Sequence, residues 1–397
     1  MTTDVEIRLD AEKGQVQAWL DEKQVGRVTV EPIEFDWGRG VVVPMAGIAA
    51  VGTAEEHRRR GIGRRTMESA VALSREKGFC VGGVSTNDGN VARRLYTRSG
   101  YVYLFAVDQC ERPVGRPAPA PPPDGVAVRP YAPGDEAGIL ALWDRSYSAN
   151  DFFGGRVTDA SAWVARRAEL LSADPQSVWV AVRGGAVVGW AEYYIHCGDR
   201  ESGAFLVESG ADAPVIARAL LTRLERSLGD AGLTRFAFAA SRHEAEAAQV
   251  LAELGCRRNS AYVFHAAVFD LSGLLERLRP LYVKRLEGSR LDSWPGVLRV
   301  EMGEQAAEVE LAGGEPGQRV ELAGPYEPVV RVLCGRRSAW EEYLRGHVTV
   351  GGDLGPDARG APDARGAPDA RRAPDARRVL DAFLGRYPWH HPRRDRW

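Results

Sequence analysis

The apolar positions of the first 110 residues follow a strand-like period and then a helix-like one. Alternation predicts strands in VQAWL, VGRVTV and VVVPMAGIAAVGT. From Arg64 onward Met67, Ala70 and Ser74 recur at helical spacing, and Gly78 is typical of a helix end. A strand (FCVGGVST), a helix (VARRLYTRSG) and a strand (YVYLFAV) complete the segment. This alternation of elements predicts an α/β fold.

A proline-rich stretch, RPVGRPAPAPPPDG at residues 112–125, ends the first segment. Its six prolines exclude helix and sheet and predict a stiff extended linker. From 126 to 270 the alternation of helices and strands is repeated. Helices are predicted in GDEAGILALWDRSYSAN, ASAWVARRAELLS, APVIARALLTRLERSLGDAG and EAEAAQVLAELG, and strands in SVWVAV, AVVGWAEYYIH and TRFAFAAS, before YVFHAAVFDL.

The third segment, residues 271–397, opens with a predicted helix, LSGLLERLRPLYVKRLEG. Short strands are predicted in VLRVEMG, AAEVELAG and PVVRVLCG, and helices in RSAWEEYLRG and VLDAFLGRY. Four copies of PDAR fill most of residues 353–378, and a proline every six residues forbids a continuous helix there. We interpret this stretch as a low-complexity surface insertion rather than a binding element. The chain is therefore predicted to have three domains, 1–111, 126–270 and 271–397.

Composition excludes several classes of partner. The net charge of −2 gives no overall basic field for nucleic acid or anionic membrane. Five widely spaced cysteines without a CxxC pair favour a reducing compartment over a disulfide framework or structural zinc. The start, MTTDVEIRLDAEKG, is no secretory signal, and no apolar stretch approaches the roughly 18 residues of a membrane span. We expect a cytoplasmic protein that binds neither nucleic acid nor membrane.

The run HRRRGIGRR, residues 57–65, could be a nucleic-acid patch, a solvated charge run or a phosphate cradle. It lies between the apolar strand AGIAAVGT and the first long helix. Backbone N–H groups converge at such a helix N-terminus, where the helix dipole favours an anion. Gly61 and Gly63 let the backbone approach a ligand, and the arginines add permanent charge. The expected ligand is a pyrophosphate, with an arginine-rich solvated turn as the alternative.

The spacing Arg58-x-x-Gly61-x-Gly63 resembles the R/Q-x-x-G-x-G/A loop of the GCN5-related N-acetyltransferases (GNAT), which holds the pyrophosphate of acetyl-CoA. A second block, NVARRLYTRSGY at residues 90–101, is similar to that family's N-x-x-A-x-x-L-Y-x-x-x-G-F. The position of the family's asparagine is occupied here by Gly89, and an asparagine, Asn90, follows it. Asn87 is the alternative candidate for the asparagine contact to the cofactor. Both blocks occur in the family's order, each on the expected element.

The resemblance assigns roles to individual residues. The cofactor phosphates fall to residues of the loop, and the pantetheine to backbone groups at the end of the preceding strand. The cofactor-binding set is Val51, Thr53, Arg58, Arg59, Arg60, Gly61, Ile62, Gly63, Asn87 and Asn90. Tyr96 is the candidate general acid, because a phenol can protonate the departing thiolate. The alternative is that Tyr96 is an ordinary core tyrosine.

The strand AGIAAVGT offers no general base, since it carries no acid or histidine. The nearest carboxylates in sequence are Glu31, Glu34 and Asp36, each of which is an ordinary loop acid in the simpler interpretation.

The middle segment resembles a second GNAT-like unit that has lost its cofactor site. Gly255 corresponds to Gly100, but Leu251 stands where Tyr96 does. Its candidate phosphate loop, FLVESGADAPVIARALL, lacks paired glycines and an arginine, and Glu208 and Asp212 would repel pyrophosphate. We expect this domain to be structural or to shape an acceptor pocket.

Two GNAT-like mixed-sheet domains followed by a small α/β domain resemble the enhanced intracellular survival (Eis-like) acetyltransferases. That resemblance implies a tail domain like sterol carrier protein 2 (SCP2-like), a homo-oligomer with a hexamer as one option, and the terminal carboxylate, here of Trp397, as base. Only 43 residues precede Pro44, too few for the family's two N-terminal helices as well as its first strands. The acceptor pocket is therefore expected to be open or completed by another domain.

The function predicted from the sequence is acetyl-CoA-dependent transfer of an acetyl group to a primary amine in a ternary complex. The acceptor is an aminoglycoside- or polyamine-like small molecule, or lysine. Two alternatives stay open: a protein lysine or N-terminal acetyltransferase, and a non-catalytic acyl-CoA-sensing or lipid-binding scaffold. No metal is expected, because His347, His390 and His391 lack partners at ligand spacing.

Overall fold

Alternating apolar and polar residues place the first 53 residues in strands. A computed structural model describes residues 5–115, 117–146, 155–156, 160–173, 175–196, 200–208, 210–241, 245–287, 294, 296–311, 318–335 and 337–353. Its first strands are β1 (Glu6–Asp10), β2 (Gln15–Leu20), β3 (Lys23–Asp36) and β4 (Val42–Thr53). Residues 5–53 contain no helix, so tight turns connect β1, β2 and β3.

Two helices and two strands complete the N-terminal unit: α1 (Ile62–Glu76), β5 (Val81–Asn87), α2 (Arg93–Arg98) and β6 (Val102–Pro113). The helix α1 begins two residues before the predicted Arg64 and buries Met67, Ala70 and Leu73. These side chains share an apolar cluster with Val30 of β3 and Ile48 of β4. The helix is thereby fixed to one face of the sheet, since burial of an apolar stripe is its main stabilisation.

The second unit has the predicted helices in the predicted order. Its elements are β7 (Val126–Pro130), α3 (Asp135–Ser146), β8 (Gly155–Arg156), α4 (Ala160–Ala173), β9 (Val178–Arg183), β10 (Ala186–His196), β11 (Arg200–Val207), α5 (Ala213–Asp230), β12 (Arg235–Ser241), α6 (Ala245–Glu253) and β13 (Arg257–Val268). The long helix α5 packs against β9, β10 and β11, and supplies more buried residues than any other described element of this unit.

The last strands of the two units are exchanged. Strand β13 of the second unit pairs with β5 of the first, while β6 of the first pairs with β12 of the second. The two exchanged strands also pair with each other, antiparallel, from Arg257–Glu111 to Ala266–Val102. Over the described residues this produces one 13-stranded sheet, with the order β1-β2-β3-β4-β5-β13-β6-β12-β11-β10-β9-β7 and β8 beside β3. Neither unit therefore completes its sheet alone.

The described residues 114–115 and 117–123 of the proline-rich stretch lie in neither helix nor strand, but the beginning of the stretch belongs to the sheet. Strand β6 continues as far as Pro113, because Arg112 and Pro113 still pair with β12. The prediction that the prolines exclude sheet is wrong at these two residues, since a proline is tolerated at a strand end. The described residues from 114 to 125 then run beside α5, where Glu225 Oε1 accepts the Gly115 N–H at 2.7 Å.

The third unit consists of α7 (Leu271–Leu286), β14 (Val297–Met302), β15 (Gln305–Glu310), β16 (Arg319–Gly324), α8 (Tyr326–Leu333), α9 (Ala339–Leu344) and β17 (Thr349–Asp353). Its four-stranded sheet has the order β15-β14-β16-β17. The segment PVVRVLCG, predicted as a strand, is helix α8: Val329, Val330, Val332 and Leu333 are buried at helical spacing. In so short an apolar run, the two-residue period of a strand cannot be distinguished from the 3.6-residue period of a helix.

One hydrophobic core joins the third unit to the N-terminal unit. Leu278 and Tyr282 of α7 share a buried cluster with Trp37 and Met45 of the N-terminal sheet. Met45 alternates with the α1-facing Ala46 along β4, so α7 covers the face opposite α1. No described helix is long and apolar enough to cross a membrane. The PDAR repeats, the predicted helix VLDAFLGRY and Trp397 lie outside the described residues.

Candidate functional site

The strands β4 and β5 pair over a short length and then separate. Their parallel pairing covers Met45–Gly47 with Val81–Gly83, although β4 runs on to Thr53 and β5 to Asn87. Among the described strands, the end of β4 has a neighbour, β3, on one side only. Backbone N–H and C=O groups near Val51 and Thr53 are therefore available along this cleft.

A β-bulge bends β4 at the mouth of the cleft. The register with β3 shifts between the pairs Thr29–Ala49 and Arg27–Gly52, and Ala50 has a φ of +51°. A bulge of this kind leaves one extra residue in the strand and increases its local twist. The alternating pattern of AGIAAVGT does not show it, because a left-handed alanine has no marker in the sequence.

The loop after β4 turns sharply into α1. A short 3-10 helix at Glu55–His57 is followed by Arg58 in an extended conformation, and by Arg59 with a φ of +64°. Gly61 has a φ of +79° and lies at the N-cap of α1, where no side chain caps the helix. The first-turn N–H groups of α1 thus lack a side-chain acceptor, which is the arrangement that binds anions at helix N-termini.

The two glycines of the loop have different functions. Gly61 supplies the left-handed conformation in open space, whereas Gly63 already lies inside the helix. A Cβ at Gly63 would lie 3.4 Å from Leu95 Cδ2 and 3.6 Å from Thr53 Oγ1, at ordinary contact distances. A larger side chain at Gly63 would fill the space between β4, α1 and α2.

The loop arginines are exposed and weakly engaged. Arg58, Arg59 and Arg60 all lie on the surface. The Arg58 Nε donates to the Thr53 carbonyl at 3.3 Å, and its Nη1 lies 3.9 Å from Glu55 Oε1. Exposed ion pairs of this kind stabilise a protein by less than about 1 kcal/mol. The guanidinium groups can therefore reorient toward a ligand phosphate at little cost.

Tyr96 lies on α2, beside the cleft, and its side chain is only 4% exposed. It belongs to the buried cluster that contains Met67 of α1 and Val84 of β5. Desolvation raises the pKa of its phenol above the usual value of 10, so the hydroxyl stays protonated at neutral pH. Among the described residues none forms a hydrogen bond with this hydroxyl within 3.5 Å. A buried, protonated and uncommitted phenol is suited to donate a proton.

The two candidate asparagines differ in availability. The Asn90 side-chain oxygen accepts the Ala92 N–H at 2.9 Å, in the turn just before α2. Asn87, the last residue of β5, has a buried Oδ1 without a hydrogen-bond partner in the described part of the chain. Asn87 is therefore the better placed of the two to bind a ligand amide.

The candidate bases are less well placed. Glu31 and Glu34 are exposed on β3, opposite Gly47 and Pro44 of β4. The side chain of Asp36 and the whole of Trp397 lie outside the described residues.

One residue that the sequence analysis missed adjoins Tyr96. His265, in the exchanged strand β13, is 1% exposed, and its ring centroid lies 6.3 Å from that of Tyr96. Burial, with a smaller contribution from the positive charge of Arg93, lowers its pKa to about 4. A polar residue at a buried position of YVFHAAVFDL was a local signal, but the exchange that brings it to this site was not visible in the pattern.

The corresponding loop of the second unit is balanced by internal ion pairs. Asp212 lies at the N-cap of α5, where Arg183 of β9 binds it at 2.5 Å. Glu208 is bound by the Arg145 Nε of α3 at 3.1 Å. The two acids that the sequence analysis expects to repel pyrophosphate are thus each paired with an arginine from another element. The two carboxylates add negative charge beside the N-terminus of α5, which disfavours an anionic ligand there.

The described histidines form no metal centre. No three His, Cys, Asp or Glu side chains of the described residues gather as ligands. His347 instead pairs through Nδ1 with Glu342 Oε2 at 2.6 Å, and Glu342 is 1% exposed. His390 and His391 lie outside the described residues.

Comparison with known proteins supports the same kind of fold. Residues 2–101 match the model of the acetyltransferase (GNAT) family. A GCN5-related N-acetyltransferase from Kribbella flavida is 17% identical, with a TM-score of 0.54 over 94% of this chain and 84% of its own. One from Anabaena variabilis is 14% identical, with a TM-score of 0.54 over 85% and 84%. Eis1 from Mycobacterium abscessus is 16% identical, with a TM-score of 0.50 over 94% and 87%.

No curated protein matches the sequence. At these identities the structural likeness shows the fold alone, a multi-domain GNAT architecture. The family match adds that the N-terminal unit, which contains the cleft, has the sequence features of an acetyltransferase.

Proposed function

We propose, from the GNAT match of residues 2–101 and the geometry of the cleft, that the chain is an acetyl-CoA-dependent N-acetyltransferase acting on a primary amine. One observation carries the proposal: an uncapped, arginine-rich helix N-terminus lies at the end of the cleft between β4 and β5, beside a buried phenol. An anion site and a proton donor at the two sides of one cleft are what thioester aminolysis requires.

The loop Arg58–Gly63 would hold the pyrophosphate of acetyl-CoA. The guanidinium groups and the first-turn N–H groups of α1 would stabilise the negative charge of the pyrophosphate. Backbone groups at Val51 and Thr53 would bind the amides of the pantetheine, and Asn87 would add a side-chain contact. These assignments would bring the acetyl group near Tyr96 of α2.

Transfer would proceed directly in a ternary complex. The amine nitrogen attacks the thioester carbon, the new C–N bond forms, and the C–S bond breaks. A base removes one proton from nitrogen, while Tyr96 gives its proton to the departing sulfur and later regains one from solvent. The products are an amide and the free thiol of CoA. We assign the base to the carboxylate of Trp397, with Glu31, Glu34 and Asp36 as the alternatives.

The remaining assignments follow the Eis-like resemblance. We propose a domain division at residues 111, 126 and 270, an SCP2-like third unit, a cytoplasmic location and a homo-oligomer, with a hexamer as one option. The acceptor is an aminoglycoside- or polyamine-like small molecule or a lysine side chain. Because α7 and β8 both contact β3 or β4, we assign the acceptor wall to the second and third units.

Release of CoA from acetyl-CoA tests the proposal, with a panel of polyamines, aminoglycosides and lysine peptides. Turnover of at least one amine is expected. Removal of Trp397 is expected to lower kcat without weakening acetyl-CoA binding, and an unchanged kcat would return the role of base to the acids of β3. Binding of acetyl-CoA without turnover of any amine would instead favour the sensing scaffold.

A further inference from the structure

The exchanged strand β13 places one polar side chain of the second unit beneath α2. His265 pairs with Val84 of β5 on one side and with Tyr103 of β6 on the other. Its ring stands edge-on to Tyr103, with centroids 5.8 Å apart, and is tilted by 59° to the ring of Tyr96. The imidazole is therefore enclosed by elements of the N-terminal unit, although the chain supplies it 169 residues after Tyr96.

Two neighbouring polar groups, one on each of these rings, have no hydrogen bond within 3.5 Å among the described residues. The Nδ1 of His265 has no partner in the described part of the chain, although it is fully buried. The Tyr96 hydroxyl likewise has none among the described residues. An unpaired buried polar atom costs roughly 1–3 kcal/mol, and leucine or phenylalanine at position 265 would avoid that cost. Packing alone therefore does not explain a histidine here.

The surroundings keep the imidazole neutral. The charged or titratable groups next to it are Arg93 of α2 and Tyr103 of β6, while β5 contributes the apolar Val84. Tyr101, the residue just before β6, is the other titratable group near the phenol of Tyr96. A neutral imidazole has one nitrogen that accepts a hydrogen bond, which is the complement of a phenol O–H.

We infer that His265 is a positioning residue for Tyr96: its Nδ1 holds the phenol hydroxyl in the orientation needed at the cleft, directly or through one water molecule. The catalytic site of the N-terminal unit is thus completed by the second unit, which is more than a scaffold. The inference rests on the proposed acetyl transfer. His265 itself exchanges no proton with substrate, and Tyr96 remains the acid.

A set of four variants tests this inference in the full chain. His265→Phe keeps a ring but no nitrogen, and His265→Asn keeps a hydrogen-bonding group near the place of Nδ1. Val263→Ala, in the same strand and on the same face, is the packing control, since Val263 is also buried. Tyr96→Phe completes a double-mutant cycle with His265→Phe. Each variant is measured for kcat, for KM of acetyl-CoA and for melting temperature.

We expect His265→Phe to lower kcat roughly tenfold with KM unchanged within about twofold, since misorientation of a catalytic group acts on the chemical step. His265→Asn should recover kcat to within about threefold of the unmodified protein, and Val263→Ala should change only the melting temperature. In the Tyr96→Phe background, His265→Phe should have no further effect, because coupled residues are not additive.

Three results would overturn the inference. These are an equal loss from His265→Phe with and without the Tyr96 hydroxyl, no recovery in His265→Asn, or a loss of kcat in Val263→Ala as large as in His265→Phe. If phenylalanine prevents folding, His265→Leu removes the nitrogen in a smaller side chain. Turnover that depends on Tyr96 but not on His265 would refute this inference alone. Absence of turnover in the unmodified protein, with acetyl-CoA bound, would refute the proposed function as well.

Discussion

The helix N-termini of α1 and α5 occupy corresponding places in the two GNAT-like units and differ in what surrounds them. At α1 the N-cap is a left-handed glycine, no side chain caps the helix, and exposed arginines stand in the loop. At α5, where no side chain caps the helix either, the N-cap residue is Asp212, which Arg183 binds. The first N-terminus therefore has positive charge to offer a ligand, whereas the second has its positive charge already neutralised within the protein.

The same arrangement of a strand, a loop and a helix N-terminus can therefore either remain open to an anionic ligand or carry carboxylates of the protein itself. A helix dipole favours an anion at both N-termini, but an internal carboxylate serves that purpose as well as a ligand does. The arginines that neutralise Glu208 and Asp212 come from α3 and β9, elements far from the loop in sequence. The two acids near the N-terminus of α5 are thus each paired with an arginine from another element.

The difference between Tyr96 and Leu251 should have the largest effect on rate. Both residues accept, through their carbonyls, the N–H of the residue five positions later, so they occupy equivalent turns. Tyr96→Phe should lower kcat by roughly 10²–10⁴-fold, because the proton donor is lost. Melting temperature should change little, since the hydroxyl bonds to no described residue. Steady-state kinetics checks this, and an unchanged kcat would show that Tyr96 is only a core tyrosine.

His265 of the second unit is buried against the N-terminal unit. Its burial should lower the free energy of unfolding at acidic pH. Its pKa is near 6.5 when unfolded and about 4 in the folded protein, so the unfolded state binds the proton first as pH falls. The stability is complete above pH 6.5 and is lost between pH 6.5 and 4, by roughly 2–3 kcal/mol. Urea unfolding at pH 7.5 and 4.5 measures the loss, which His265→Asn should reduce and Val263→Ala should leave intact.

Arginine replacements near the N-termini of α1 and α5 should differ in their effect on acetyl-CoA binding. This effect is expected to be smaller than the two above. Replacement of Arg58 and Arg60 by alanine should raise the KM of acetyl-CoA roughly tenfold with kcat unchanged, since contacts to phosphate are charge-assisted. Arg183→Ala, at the second N-terminus, is the matched control and should leave KM unchanged. Higher salt should raise the KM of the unmodified protein more than that of the double variant. Equal effects of the two replacements would contradict the comparison.

Local features of the fold could be predicted from the sequence. The helices α1 and α5 follow from long amphipathic patterns, and the loop between β4 and α1 follows from its glycines and its flanking elements. The short run PVVRVLCG was assigned wrongly, because eight residues do not separate a strand from a buried helix.

Non-local pairings could not be predicted. The strands YVYLFAV and YVFHAAVFDL have similar apolar patterns, so either could lie next to β5, and their exchange depends on the packing of the whole sheet. The position of His265 beside Tyr96, and the pairing of Asp212 with Arg183, both depend on such contacts. These contacts cannot be predicted from the amino-acid composition or from the local apolar pattern.

The exchange of β6 and β13 has a consequence for synthesis of the chain on the ribosome. The partner of β5 is not made until residue 268 has been added, so the N-terminal unit waits for about 155 further residues after β6 is complete. During that time β5 and β6 expose unpaired edges, which favour aggregation. Folding is expected to be slow, because the entropy of closing this long loop is lost before the contacts between the paired strands can form. In the mature protein the two units share one continuous sheet, so separating them requires breaking the pairings of β13 with β5 and of β6 with β12.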